Sequence, residues 1–307
     1  MRKRFFYAAG VVVLVSALGL GWLYSQVPKR VEGAYFDSAG VRIHYTDQGA
    51  GEPVILVHGF SVHQDINWRQ PGIIDRLAKQ YRVVALDLRG HGLSDKPHDP
   101  ALYGEEMAWD VIRLMDHLQI PKAQVVGYSM GGFITLKLMA LAPERLISAA
   151  PCGMGWQVAT EENTAPLLQL AEDLEADKGF GVLFQAIYPP GKAPSGAEQR
   201  AIDFAMSAFN DKKALAASMR AFEGLAISEA DLRACSMPVL TIVGADDPLI
   251  KGVDQMNVLM PNHKTVVIDG TDHVTTLRDT RFADAVEQFL GAHRTAQVAA
   301  PVRPEAA

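Results

Sequence analysis

Two apolar rhythms alternate along most of the chain. Runs that are apolar at nearly every position, Pro53-Val-Ile-Leu-Val57 and Arg82-Val-Val-Ala-Leu86 among them, read as strands covered on both faces. Between them, Trp68 to Gln80 and Gly104 to Leu118 suit helices, the latter with apolar residues at helical spacing. Gln124-Val-Val126 is a further strand that runs into the apolar helix Phe133 to Leu141, and Leu146 to Ala150 is the strand after it. Ahead of all of these, Ala34 to Tyr45 reads as a hairpin turning at Ala39-Gly40. Such alternation predicts an α/β architecture, a doubly wound and mostly parallel sheet with right-handed crossovers.

The rhythm breaks between 153 and 235. This block is helix-favouring, with candidates at Leu167 to Ala176, Phe180 to Ile187, Glu198 to Phe209 and Ala214 to Leu225. Sheet logic returns at Pro238 to Gly244, followed by a helix at Val253 to Met260, a strand at Lys264 to Asp269 and a closing helix at Thr280 to Leu290. The expected organisation is therefore a core in two parts, 31–152 and 236–293, with a helical cap, 153–235, inserted at the carboxyl ends of the strands, where ligands bind in such sheets. Residues 294–307 are rich in Ala and Pro and are expected to be disordered.

The N-terminus adds a separate expectation. Arg2-Lys3-Arg4 precedes Phe5 to Ser25, which carries no charge. At about 1.5 Å per residue a helix of this length crosses a hydrocarbon core of roughly 30 Å. Residues 1–30 thus read as a membrane anchor and linker, a transmembrane helix with the rest of the chain on the non-cytoplasmic side. A signal peptide cleaved to release a secreted protein is the alternative.

Composition mainly excludes. A net charge of −6, with Arg2-Lys3-Arg4 as the basic run, gives no footprint for nucleic acid. No zinc-protease, Walker or dinucleotide motif is present, so no metal or cofactor is expected. Cys152 and Cys235 bracket the helical block, but they should lie at opposite edges of the sheet and remain unpaired.

The candidate chemistry centres on Gly127-Tyr-Ser129-Met-Gly131, set between strand and helix. That context is what a nucleophile elbow requires, with glycines two before and two after the serine. A serine hydroxyl needs a base, and the base needs an orienting acid. His273 follows a strand by a short loop at the correct edge. Asp246 and Asp247 both lie at the carboxyl end of another strand, and position alone leaves either as the acid. An oxyanion would be held by the Met130 and Phe60 backbone N–H groups, the second from the loop His58-Gly59-Phe60-Ser61. His58 and His91 are expected to be structural.

Together, Val57-His-Gly-Phe60, Asp87-Leu-Arg-Gly-His-Gly-Leu-Ser-Asp95, Gly127-Tyr-Ser-Met-Gly-Gly132, Gly244-Ala-Asp-Asp-Pro248 and Gly270-Thr-Asp-His273 resemble the α/β-hydrolase superfamily, in its order, over Ala34 to Leu290. The resemblance is to its serine esterase and lipase-like branch. It implies Ser129 as nucleophile, His273 as base and Asp247, the aspartate before proline, as acid. It implies a hydrolase of carboxylic esters, a small-molecule ester as partner and no cofactor. Serine at the elbow, in place of aspartate, sets the chain apart from epoxide hydrolases and haloalkane dehalogenases. A C–C bond hydrolase, a cofactor-free perhydrolase and a non-catalytic binding module are the alternatives. Trp156, Phe184 and Tyr188 are expected to supply an apolar wall for a moderately hydrophobic, lipid-like substrate.

Overall fold

The computed structural model describes residues 31–295. The expected membrane anchor and nearly all of the expected disordered tail lie outside the described residues. Among the described residues no helix is long and apolar enough to cross a membrane.

Eight strands form one sheet in the order β1-β2-β4-β3-β5-β6-β7-β8. The hairpin β1 (Ala34–Ser38) and β2 (Val41–Gly49) turns through Ala39 and Gly40, both with positive φ, which matches the twist of the flanking strands. β2 runs antiparallel to β4 (Arg82–Leu86), and every later pairing is parallel. The central strands β3 (Pro53–Val57), β4 and β5 (Ala123–Tyr128) are apolar at nearly every position because both of their faces are covered, Arg82 and Gln124 being the polar exceptions. Ile55, Val57, Val84 and Leu86 face a core shared with α2 (Glu105–His117) and α3 (Met130–Leu141). Val54, Leu56, Val83 and Ala85 face the opposite core, with α1 (Ile73–Leu77) and α10 (Thr280–Ala292). Alternate side chains thus serve two cores.

Five helices stand between β6 (Leu146–Cys152) and β7 (Val239–Gly244). They are α4 (Glu161–Glu175), α5 (Gly181–Ile187), α6 (Gly196–Phe209), α7 (Lys212–Arg220) and α8 (Glu229–Ala234). α9 (Val253–Leu259) and β8 (His263–Ile268) complete the order. Cys152 and Cys235 are buried free thiols.

Several boundaries differ from the sequence reading, each for a local reason. Trp68 to Gln80 is not one helix. A π-helical turn, Asp65–Arg69, ends before Gly72 at φ 78°, and only Ile73–Leu77 resumes an α-helix. α4 starts well before Leu167 because Thr160 and Asn163 form a capping box there. Ala214 to Leu225 divides into α7 and a 3₁₀ turn, Phe222–Leu225. α8, which the apolar pattern did not reveal, is opened by the Ser228 and Asp231 capping box.

Beneath the sheet edge, Arg89 is 1% exposed and grips Asp110, itself 0% exposed, through Nε–Oδ2 at 2.7 Å and Nη2–Oδ1 at 2.6 Å. Asp110→Ala strands the buried guanidinium and should lower the unfolding free energy by about 3–5 kcal/mol. Replacing both residues by leucine should cost far less. Urea unfolding of the three proteins checks this, and a single-variant loss below about 1 kcal/mol would contradict it.

Candidate active site

Ser129 sits between the last residue of β5 and the first of α3 at φ 57° and ψ −119°. A side-chain-bearing residue held there stores about 1–3 kcal/mol of backbone strain. The surroundings hold it in place. Ser129 N–H donates to Cys152 O on β6 at 2.9 Å. A Cβ on Gly127 would stand 2.0 Å from Gly131 O, and one on Gly131 would stand 2.0 Å from Val57 O. Only glycine lets the new helix press this closely on β5 and β3.

His273 lies in the loop between β8 and α10, at the same edge of the sheet. Its Nε2 is 2.9 Å from Ser129 Oγ, and its Nδ1 is 2.8 Å from Asp247 Oδ2. A carboxylate accepts only, so Nδ1 carries the proton and Nε2 is left to accept from the serine hydroxyl. Asp247 is 1% exposed, and its second oxygen accepts from Leu249 N–H at 2.8 Å. Asp246 is exposed, and its backbone N–H donates to Thr271 O. The structure therefore brings Ser129, His273 and Asp247 together and leaves the Asp246 carboxylate outside. Tyr128 steadies the base, its hydroxyl donating to His273 O at 2.7 Å beneath the imidazole.

The loop after β3 lies against the serine. A Cβ on Gly59 would come 3.2 Å from Ser129 Cβ. His58 Nε2 accepts from Leu88 N–H at 2.9 Å, so its Nδ1 is the protonated nitrogen and donates to Gly59 O at 2.7 Å. Gly59 O and Phe60 N–H belong to one planar peptide, so fixing the oxygen aims the amide the opposite way. Gly59 N–H donates to Asn67 Oδ1 at 2.7 Å, from within the π-helical turn. Neither Phe60 N–H nor Met130 N–H donates to an acceptor among the described residues. Met130 opens α3, where the first amides have no intrahelical partner.

A cavity of about 240 Å³ opens beside Ser129, lined by Phe60, Met130, Trp156, Leu167, Leu183 and Ile187 among others. Trp156 lines it, with Nε1 donating to Ile227 O at 3.1 Å. Phe184 and Tyr188 do not line it. On α5 the cavity face is Val182, Leu183, Ala186 and Ile187, and the helical period turns Phe184 and Tyr188 elsewhere. Phe184 is buried in the core and meets the Tyr188 ring edge-on at 6.4 Å. Among the described residues no group of three or more His, Cys, Asp or Glu side chains is arranged to hold a metal ion.

Sequence reasoning missed Asn67 and Tyr128. Asn67 carried no local signal, because its contact depends on a π-helical turn that apolar spacing does not encode.

His58 and His91 are both fully buried, and burial pushes their pKa values down to about 4 and about 3. His91 Nδ1 donates to Arg89 O at 3.0 Å, while its Nε2 is buried with no partner among the described residues. Its ring packs edge-on against His58 and Phe60. Both folded pKa values lie below the unfolded value of 6.5, so the unfolded chain binds more protons between them. Their contribution to stability is full above pH 6.5 and is lost as pH falls towards 4. By pH 5 each imidazole should have cost about 2 kcal/mol. Urea unfolding at pH 7.5 and pH 5 measures this, and equal stabilities would refute it.

A 2-hydroxymuconate semialdehyde hydrolase of Pseudomonas sp. (strain CF600) is 29% identical over 82% of this chain and 92% of its own length. The 3-oxoadipate enol-lactonase 2 of Acinetobacter baylyi is 29% identical over 81% of this chain and 93% of that protein. A thermophilic esterase from Thermogutta terrifontis has the same fold, with a TM-score of 0.72 at 23% identity, over 87% of this chain and all of that one. The match to the acetyltransferase component of the acetoin cleaving system of Cupriavidus necator is 43% identical, but it spans only 32% of that protein and 39% of this chain. The family model described as alpha/beta hydrolase fold matches residues 52–279, and the chain belongs to that family.

Proposed function

We propose that this protein is a serine hydrolase that cleaves carboxylic esters through an acyl-enzyme. The observation that carries the reading is the hydrogen-bonded line from Asp247 through His273 to Ser129 Oγ, opening onto an apolar cavity. Ser129 Oγ attacks the ester carbonyl while His273 Nε2 takes its proton, and Asp247 stabilises the imidazolium. The Phe60 and Met130 amides hold the oxyanion, each well-placed donor being worth about 3–4 kcal/mol. His273 passes the proton to the departing alcohol. Water then repeats the sequence on the acyl-enzyme and releases the acid.

In this reading the helical insertion acts as a cap that shapes the acyl site. Val182, Leu183 and Ile187 meet Phe133 and Leu136 across the cavity, which favours a moderately hydrophobic group. Each methylene buried there is worth about 0.8 kcal/mol, roughly fourfold in kcat/KM. A C–C bond hydrolase would use the same three side chains. The similarity to a semialdehyde hydrolase keeps that second reading in view.

A fluorophosphonate probe should label the wild-type protein and fail on Ser129→Ala, whose ester kcat should fall about 10⁴- to 10⁶-fold. An unlabelled wild type sinks the proposal. Against p-nitrophenyl esters, butyrate should exceed acetate by about fifteenfold in kcat/KM, two methylenes at about 0.8 kcal/mol each. Preference for acetate would remove the apolar acyl site. Cleavage of a vinylogous diketone, with esters untouched, would favour the second reading.

A further inference from the structure

The loop that carries the Phe60 amide is tied at both ends, and the two ties come from different parts of the molecule. Upstream, the core holds it. His58 Nδ1 fixes Gly59 O, and Asn67 Oδ1 fixes Gly59 N–H. Downstream, Ser61 is buried at φ 57°, and its carbonyl accepts from Asn210 Nδ2 at 3.0 Å. Asn210 belongs to the insertion, where it ends α6 in extended backbone. The same Nδ2 also donates to Met206 O at 3.0 Å. Both partners are carbonyls, so the amide orientation of Asn210 is forced: nitrogen inward, as donor.

The residue after it reinforces the junction. Asp211 caps α7 through Lys213 N–H and Ala214 N–H, and its other oxygen lies 3.0 Å from His98 Nε2 on the core. The α6–α7 turn is thus pinned to the core beside the loop. Phe60 sits between the two ties. Its ring lines the cavity, and its N–H has no acceptor among the described residues.

We infer that Asn210 is a positioning residue, through which the seated insertion sets the aim of the Phe60 amide at the reacting carbonyl oxygen. This rests on the serine-hydrolase reading above. Beyond Phe60 the core takes hold again at His63 and Gln64, through Asn67 N–H to His63 O and Gln64 N–H to Asp87 Oδ1. Ser61, in between, keeps freedom to shift, in a backbone region that a side-chain-bearing residue leaves readily when unsupported. The Asn210 bond closes that freedom. Oxyanion donors act by being in place before charge develops, so a small drift of the amide is felt in the chemical step and not in ground-state binding. The insertion then does more than wall the cavity. Its seating completes the loop that stabilises the transition state.

The test compares Asn210→Ala, which removes the donor, with Asn210→Asp, which sets a carboxylate against the Ser61 carbonyl. Rates are referred to serine titrated with the fluorophosphonate, so misfolded protein does not count. Both variants should lose about 10- to 100-fold in kcat with KM within about twofold of wild type, Asn210→Asp losing more. Affinity for a trifluoromethyl ketone, whose adduct carries the oxyanion, should fall in parallel with kcat. Hydrogen exchange across 58–64 should quicken in Asn210→Ala, a readout independent of catalysis. Wild-type kcat and ketone affinity in Asn210→Asp, or a loss confined to KM, would overturn the inference. An unlabelled wild type would instead overturn the underlying reading, which keeps the two failures apart.

Discussion

The site depends on the tight approach of the start of α3 to the ends of β5 and β3. With room at Gly127 and Gly131 for hydrogen alone, strand turns into helix within a single residue, and that residue is Ser129 at positive φ. Other features of the site are referred to this point. The serine is lifted clear of the sheet, the first amide of α3 faces the same space, and the loop after β3 is drawn over it so closely that a Cβ on Gly59 would crowd the serine Cβ. The strain at Ser129 is held by β6 through Cys152 O and by the packed sheet around it. A less tightly constrained junction would relax and take the hydroxyl out of reach of His273.

Around that junction the protein places buried polar groups whose partners are specified one by one. Asp87, 2% exposed, accepts from the backbone N–H groups of Gln64 and Leu93 and lies 3.0 Å from His44 Nδ1. Burial alone would raise its pKa, but the His44 ring and these amides hold its carboxyl well below the usual range. Gly92 comes so close to the Asp87 carboxyl that a Cβ would stand 2.2 Å from its carbon. His58 is held as one tautomer by a donor on one nitrogen and an acceptor on the other. Groups so fixed do not reorient when charge develops nearby, which is the physical requirement for electrostatic preorganisation.

The insertion obeys a different rule. Most of its helices bury little of their own surface, and α6 has no buried residue at all. Its contact with the site is made by the segment around Trp156, one face of α5, parts of α4 and the turn after α7, while single polar ties such as Asn210 and Asp211 connect it to the core. Core side chains are set by the sheet. The cavity wall is set by how helices of modest apolar content settle against one another.

The sequence alone determined the doubly wound sheet, its inserted helices, the elbow and the edge on which a histidine and an acid had to lie. These follow from short-range patterns: two-sided strands, helical spacing, and glycines demanded by a tight turn. It narrowed the acid to Asp246 and Asp247 but left the choice to resemblance. Only the fold shows that Asp247 turns inward to His273 while Asp246 stays exposed, since adjacent residues in a loop share every local signal. Phe184 and Tyr188 looked like cavity residues by their chemistry, yet the rotation of α5 gave that face to Val182, Leu183 and Ile187. Asn67 and Asn210 could not be read at all. An asparagine becomes a loop tie only when tertiary packing sets it against a particular peptide group, and no spacing along the chain records that encounter.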